Sequence, residues 1–287
     1  MKVLITGGNG QLAREMTEVL QTEHLVRSLD SSQLDVTNKG QVWNELISWN
    51  PEVIIHAAAY TQVDLAESNP QQAFEVNALG TRYIAEIGEM LGAKFVYIST
   101  DYVFDGSKAS YYEEHDSPLP INTYGWSKRL GEVEALQSCS RSFVIRTSWL
   151  FGIHGRNFVQ KILDLATRQR ELSIVHDQIG SPTHTLDLAR AIAFLMHTER
   201  YGIYHFASLG HCSWYELAEK ALHLKKSTTT CLPCMSNEYP TVAARPKNTP
   251  LSSIKLQQLG FGPIPHWEIA LQAYLERMEQ ASRLPQT

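Results

Sequence analysis

Apolar positions along this chain fall into two alternating rhythms. Val3-Leu4-Ile5 is a continuous aliphatic run, and the segment after it sets Met16, Val19 and Leu20 at helical spacing. The alternation then recurs. His24–Leu29 reads as a strand that ends at Asp30, Lys39–Trp49 as a helix, and Val53–His56, behind Pro51, as a third strand. Asn69-Pro70 offers a cap residue followed by proline at the first helical position, so a helix is predicted from there to about Leu91, with Gly92 as its stop. Phe95–Ser99 is the fourth strand, a helix begins near Tyr124 and Lys128, and Phe143–Thr147 is the fifth strand. Continuous apolar runs suit strands covered on both faces. Strands alternating with helices imply a Rossmann-type doubly wound parallel sheet, an α/β fold whose right-handed crossovers bring the strands' carboxyl ends to one rim.

After about Phe151 the fingerprint pattern stops. A strand piece at Leu172–Val175, helices at Thr185–His197 and Ser213–His223, and a turn at Gly180-Ser-Pro-Thr183 near the cleft predict a smaller lobe. We therefore expect a dinucleotide-binding domain over residues 1–150 and a mainly substrate-binding lobe over 151–287, with room for elements that return to the main sheet. The polar tail after about Ala281 is expected to fray.

Composition narrows the class. The 287 residues are long for one small core, and 43% hydrophobic with 19% charged residues is ordinary for a globular chain. A net charge of −5 and a pI near 6.1 give no sign of nucleic-acid or membrane affinity. No apolar run approaches membrane-spanning length, and the strand-like start is not a signal peptide, so a cytoplasmic protein is expected. Four cysteines (Cys139, Cys212, Cys231, Cys234) make no disulfide framework at this size. Cys231-Leu-Pro-Cys234 lacks the second pair a zinc set requires, and its surroundings read as a loop or edge strand.

Candidate chemistry gathers at the predicted rim. Gly7, Gly10 and Ala13 follow the first strand at three-residue spacing. The first permits a tight turn, the second a close approach of a pyrophosphate, and the small third position lets the helix pack. Gln11 and Leu12 then open a helix whose free N–H groups suit the phosphates. Asp30 is placed to accept from the adenosine ribose 2′-OH and to repel a 2′-phosphate, which favours NADH, while alternation turns Arg27 away. Asp35 and Val36 fall where an adenine wall is expected. Ala57, Ala59, Tyr60 and Thr61 would let a flat nucleotide lie on the backbone at the end of strand three. In Asn122-Thr-Tyr-Gly-Trp-Ser-Lys128, Tyr124 and Lys128 stand one helical turn apart and share a face. A cation beside a phenol favours the phenolate, so this pair can pass a proton to a carbonyl oxygen, and the lysine can also hold cofactor ribose hydroxyls.

These segments resemble the extended short-chain dehydrogenase/reductase superfamily and, within it, the dTDP-4-dehydrorhamnose reductase family. The resemblance spans roughly residues 1–260. It is carried by Gly7-Gly-Asn-Gly-Gln-Leu12, Ala57-Ala-Ala-Tyr-Thr-Gln-Val-Asp-Leu-Ala-Glu67, Asn77-Ala-Leu-Gly-Thr81, Ser99-Thr-Asp-Tyr-Val-Phe-Asp-Gly106, Tyr124-Gly-Trp-Ser-Lys128, Arg146-Thr-Ser-Trp149, Gly202-Ile-Tyr-His-Phe206, Ser213-Trp-Tyr215 and Arg245-Pro246. Related 4,6-dehydratases usually carry a glutamate after the Thr-Asp pair. Tyr102 stands there instead, which points to reduction without elimination.

The resemblance implies NADPH- or NADH-dependent reduction of the C4 keto group of dTDP-6-deoxy-L-lyxo-4-hexulose to dTDP-L-rhamnose. It implies Tyr124 as proton donor, Lys128 as its partner, Thr100 as the group orienting the carbonyl, and Asp101, Trp149 and Arg245 as further substrate contacts. Ser252 stands where the family usually has aspartate. Glu15 matches a position through which some members form magnesium-linked dimers, yet it equally suits a solvated first helical turn, and no metal site is assigned. A monomer or homodimer is expected. Two alternatives stay open: a reductase or epimerase acting on another nucleotide sugar, and a non-catalytic dinucleotide-binding regulatory subunit.

Overall fold

A computed structural model describes residues 1–283. The first five strands stand on the apolar runs: β1 (Lys2–Thr6), β2 (Leu25–Leu29), β3 (Val53–His56), β4 (Lys94–Thr100) and β5 (Ser142–Thr147). Between them lie α1 (Gln11–Leu20), α2 (Lys39–Trp49), α3 (Val63–Ser68), α4 (Pro70–Phe74), α5 (Gly80–Leu91) and α6 (Thr123–Ser138). The remainder adds β6 (Leu150–Phe151), α7 (Phe158–Ala166), β7 (Glu171–Val175), β8 (Ile179–Gly180), β9 (Thr183–His184), α8 (Thr185–Met196) and β10 (Gly202–His205). It closes with β11 (Cys212–Ser213), α9 (Trp214–Leu224), β12 (Thr230–Cys234), α10 (Ile254–Gln258) and α11 (Trp267–Arg283).

The main sheet runs β10-β5-β4-β3-β1-β2, and every pairing in it is parallel. From β1 the chain moves outward to β2 and then returns to the other side at β3. The order therefore reverses between β1 and β3, the place where open α/β sheets bind ligands. Alternate residues feed the two faces. Val3, Ile5, Val53, Ile55 and Ile145 pack with Leu12 and Met16 of α1 and with Leu188, Ile192 and Leu195 of α8. Leu4, Ile54, Phe95, Tyr97 and Val144 meet Val42 and Leu46 of α2, Ile84 and Ile87 of α5, and Ala135 of α6. Full burial of each such side chain contributes about 1.5–3 kcal/mol. Both α8, on one face, and β10, on the sheet edge, come from the second half of the chain.

The helix expected from Asn69 to Leu91 is divided. A π-helical turn at Glu75–Leu79 separates α4 from α5, and Gly92 ends α5 with φ at 68°. The side chain of Asn69 does not cap α4. Its Nδ2 donates to the Leu65 carbonyl at 3.1 Å and so serves the end of α3, a helix that the apolar pattern did not indicate.

In the second half of the chain β12 pairs in parallel with β7. Ile162, Leu172, Ile174, Ala218 and Leu222 form a core cluster there. Cys231 and Cys234 lie on β12, and all four cysteines are free thiols. Ala281–Arg283 continue α11, and the rest of the expected frayed tail lies outside the described residues. Among the described residues no helix is long and apolar enough to cross a membrane.

Candidate active site

The turn after β1 is shaped by a close approach of backbone. Gly7 has φ at 73°, and a Cβ there would lie 2.7 Å from the Ala58 nitrogen at the end of β3. No other residue type fits that turn without displacing β3. His56 is fully buried and fixes the same corner: its Nδ1 is 2.7 Å from the Thr6 hydroxyl and its Nε2 3.1 Å from that of Thr81. Burial, with Lys128 adding to it, pushes the His56 pKa down to about 3, so the ring stays neutral.

Gly10 begins α1 with no side-chain cap, which leaves backbone N–H groups and the positive end of the helix dipole facing the cleft. The Gln11 Oε1 beside them is buried without a partner. An uncapped helix start and an orphaned polar atom on a ~540 Å³ cleft fit the pyrophosphate of a dinucleotide.

Opposite this turn stands the start of α6. Asn122 caps it, its Oδ1 accepting from the Gly125 nitrogen at 2.7 Å, and its Nδ2 donates to the Ala244 carbonyl at 2.8 Å. Tyr124 and Lys128 thereby face the cleft together with Thr100 from the end of β4. The Lys128 ammonium donates to the Ile98 carbonyl at 2.6 Å and lies 4.1 Å from the centre of the Tyr97 ring. Burial lowers the Lys128 pKa to about 7, against the opposing pull of Glu132. The Tyr124 phenol moves the other way. Burial pushes it up to about 12, a hydrogen bond with the Thr100 hydroxyl opposes this, and Asp101 adds to the rise. The sequence reading has Lys128 lowering the phenol's pKa; in the structure burial dominates and raises it, only the Thr100 hydroxyl opposes the rise, and Tyr124 keeps its proton at neutral pH.

Asp101 lines the cleft, but its carboxylate is committed elsewhere. Oδ2 accepts from the Thr249 hydroxyl at 2.6 Å and Oδ1 from the Thr100 hydroxyl at 3.1 Å. Burial raises its pKa to about 6 despite these bonds. Asp101 thus ties the C-terminal segment to the end of β4. Tyr102, next along, meets Tyr124 edge to face with ring centres 5.7 Å apart.

An indole pair forms the other side of the cleft, one ring from the turn after β5 and the other from the start of α9. Trp149, with φ at 47°, stacks on Trp214 at 3.4 Å and 7°. Gly180 makes room for it, since a Cβ there would lie 2.4 Å from the Trp149 ring. Arg245 lies outside this cleft and lines an adjoining ~410 Å³ cavity shared with Tyr102 and Trp214, where its guanidinium donates to Asp64 at 2.8 Å and to the Ala243 carbonyl at 3.1 Å.

Of the other expected cofactor residues, Gly10, Gln11, Leu12, Ala57, Ala59 and Thr61 line the cleft. Tyr60 exchanges backbone bonds with the Asn77 amide instead, at 2.8 and 3.1 Å. Asp30 follows β2 and accepts from Ser32, Gln33 and, at 2.7 Å, Asn9; the Ser32 hydroxyl bond comes first among the causes that hold its pKa low. Arg14 reaches the same Asn9 at 3.3 Å, while Arg27 pairs with Glu45 on the far side. Asp35 bonds within its own loop to Thr37, and Val36 is buried in the core. Neither lines this cleft.

Glu15 is not on a solvated turn. It is fully buried, accepting from Arg277 at 2.5 Å and from Thr185 at 3.1 Å. Its carboxylate, that of Glu18 and the His154 ring could converge on an ion, but the Arg277 guanidinium already bridges the two carboxylates. Trp214, Thr249 and Asn77 had no individual role assigned from the sequence, although Asn77 opens one of the matching runs, Trp214 lies in another, and Thr249 lies in the loop at 241–250 that carries Arg245.

Comparison with known proteins agrees with this geometry. A family model described as the RmlD substrate binding domain matches residues 1–280. A spore coat polysaccharide biosynthesis protein of Bacillus subtilis, SpsK, is 38% identical over 98% of this chain and 99% of its own length. The dTDP-4-dehydrorhamnose reductase of Aggregatibacter actinomycetemcomitans is 40% identical over 96% and 99%. A crystal structure of the Bacillus anthracis dTDP-4-dehydrorhamnose reductase in complex with NADP superposes with a TM-score of 0.94 at 42% identity, covering 96% of this chain and 99% of that one. With its Gly-rich turn, its Tyr124–Lys128 pair and full-length similarity to these proteins, the chain belongs to the dTDP-4-dehydrorhamnose reductase family.

Proposed function

We propose that this protein reduces the C4 keto group of dTDP-6-deoxy-L-lyxo-4-hexulose with NADPH or NADH, giving dTDP-L-rhamnose. The observation that carries the reading is the convergence of Tyr124, Lys128 and Thr100 on the cleft that also holds the uncapped start of α1. The nicotinamide, when bound, supplies the hydride that arrives at C4. The Thr100 hydroxyl, once it turns its proton from Asp101 to the substrate, orients the carbonyl oxygen. Tyr124, protonated at neutral pH, gives that oxygen its proton, a form of general acid help worth about 10²–10⁴ in rate. Lys128 keeps further N–H donors beyond its bond to Ile98, and these suit the hydroxyls of a ribose. Its charge stabilises the phenolate left after proton transfer.

The stacked indoles of Trp149 and Trp214 offer a flat apolar wall for the sugar. Arg245, in the adjoining cavity, suits the diphosphate of the nucleotide once its bond to Asp64 is shared or exchanged. Tyr102 fills the position from which an eliminating relative would use a carboxylate, which favours reduction alone. Such a biosynthetic enzyme would work in the cytoplasm, as a monomer or homodimer.

The test is oxidation of NADH and NADPH against a panel of dTDP-, UDP- and GDP-linked 4-keto-6-deoxy sugars. Highest turnover is expected with the dTDP compound, and the purified protein should carry no tightly held cofactor, since a net reductase exchanges it each cycle. Robust turnover on another nucleotide's sugar with none on the dTDP compound would sink the assignment.

A further inference from the structure

One turn beyond Lys128 on α6 lies Glu132, a fully buried carboxylate that holds four hydrogen bonds. Its Oε1 accepts from the Ser99 hydroxyl at 2.6 Å and from Arg146 Nε at 2.8 Å. Its Oε2 accepts from Arg146 Nη2 and from Arg129 Nη1, each at 2.9 Å. Arg146 is itself only 1% exposed. A buried ion pair is a poor source of stability, because desolvating both charges offsets most of their attraction and apolar residues of similar shape hold a core as well. A second reason for the pair lies in where it sits.

Three successive residues of β4 each dock a residue of α6. The Ile98 carbonyl takes the Lys128 ammonium, the Ser99 hydroxyl takes Glu132, and Thr100 meets Tyr124. Across the β4–β5 ladder Ser99 stands opposite Arg146 and Thr100 opposite Thr147. Arg146 therefore reaches Glu132 from the neighbouring strand, and one carboxylate fastens α6 to both strands directly beneath the reacting groups. Its spacing of four residues also puts Glu132 on the face of α6 that carries Lys128.

We propose that Glu132 is a positioning residue for the reaction: it supplies the countercharge that keeps Lys128 an ammonium and, through Ser99 and Arg146, fixes the seat of Tyr124 against Thr100. This rests on the reductase reading above. Lys128 is faced by His56, Tyr97 and Glu132. Glu132 is faced by Ser99, Arg129 and Arg146, and Arg146 by His205 at 3.3 Å. His56 and His205 are both pushed down to about 3, chiefly by burial, and stay neutral at working pH. The phenol of Tyr97 is pushed up by burial and keeps its proton. The arginines do not titrate. Asp101, raised by burial to about 6, faces Thr100 and Tyr124 and ionises on the acid side, which leaves Lys128 as the group whose charge is lost on the alkaline side.

The experiment measures kcat, KM and their pH profiles for Glu132→Gln, Ser99→Ala and Arg129→Met, with NADH binding titrated to count folded sites. Glu132→Gln should lower kcat about tenfold with KM within about threefold, and move the alkaline limb to lower pH by about one unit. Ser99→Ala keeps the carboxylate, so kcat should fall a few-fold with the limb unmoved. Arg129→Met removes a competing cation, and the limb should move to higher pH. Wild-type kcat and an unmoved limb per folded site in Glu132→Gln would make the pair purely structural and overturn the proposal. If that variant does not fold, unchanged kcat in Ser99→Ala together with an unmoved limb in Arg129→Met overturns it equally. A wild type without turnover on any 4-keto sugar would overturn the reductase reading instead. The Glu132 proposal would then be decided by the pH dependence of NADH binding, where the same signed shifts are expected.

Discussion

The two walls of the cleft are held by different kinds of contact. On the side of β1, β3, β4 and β5, site residues stand at or just beyond the ends of strands locked in a parallel ladder, Gly7 after Thr6, Ala57 after His56 and Thr100 closing β4, and α6 brings Tyr124 and Lys128 against that rim with Lys128 bonded to Ile98 of β4. On the other side the strands beside the cleft, β6, β8, β9 and β11, are two residues long, and side chains do the holding. Trp149 lies on Trp214 in a pocket cleared by Gly180, Ser148 donates to the Ser181 carbonyl at 2.6 Å, and Thr249 hangs on Asp101. A ladder fixes backbone to a fraction of an ångström, which transfer chemistry needs. A wall of stacked rings tolerates adjustment, which recognition of a flexible sugar nucleotide needs. The first wall should govern rate and the second affinity.

The strongest test of that division is Tyr124→Phe, which keeps the ring and removes only the hydroxyl. We expect kcat to fall by a factor on the order of 10² or more while KM moves little and cofactor affinity holds, as steady-state kinetics and cofactor titration will report. Near-normal turnover would mean another acid serves C4, and the rate wall would lose its central member.

Lys128→Met comes next. It should reduce kcat by tens of fold and weaken cofactor binding as well, because it removes a ribose contact with the charge. The pH profile adds a sign. Since burial has lowered the Lys128 pKa to about 7, the ammonium is present below that pH and lost above it, so kcat/KM at limiting cofactor should decline as pH rises through about 7. That limb should vanish in the Met variant. A limb that survives there belongs to a different group.

Across the cleft, Trp214→Ala leaves Trp149 without its stacking partner. KM for the keto sugar should rise roughly tenfold with kcat within about threefold, in line with the worth of an aromatic pair. A loss confined to kcat would show that the indoles set reaction geometry after all, and the comparison between walls would fail.

The smallest effect concerns cofactor choice. Asp30→Ala removes a carboxylate beside the expected 2′ position, leaving Arg14 and Asn9 there. The preference for NADPH over NADH should rise a few-fold, read from the two Kd values. An unchanged ratio would place the 2′ position away from Asp30.

Much of the first wall is legible in local sequence because its determinants lie within a few residues of one another. Apolar runs at Val3–Ile5 and Val53–Ile55 declare buried parallel strands, Gly7 and Gly10 declare a tight turn into a helix, and Tyr124 and Lys128 share a face by spacing alone. The π turn at Glu75–Leu79 has no such signature, because Asn77 within it answers to Tyr60 and Ser127 elsewhere in the chain, and Asn69 before Pro70 suits a helix start and a helix end alike, so its bond back to Leu65 is not readable from the residues.

Local pattern alone sets the alternation of strands and helices, the parallel sheet that follows from it, and the chemistry gathered on one rim. Folding is what buries Glu15 against Arg277, turns Asp101 to Thr249, engages Arg245 with Asp64, and returns α8 and β10 to complete the first half's sheet. The physical reason is the range of the forces that select each feature. Propensity, capping and periodicity act along the chain and leave a readable pattern. Burial and the pairing of polar groups join residues far apart in sequence, and they are fixed only when the folded chain brings those residues into contact.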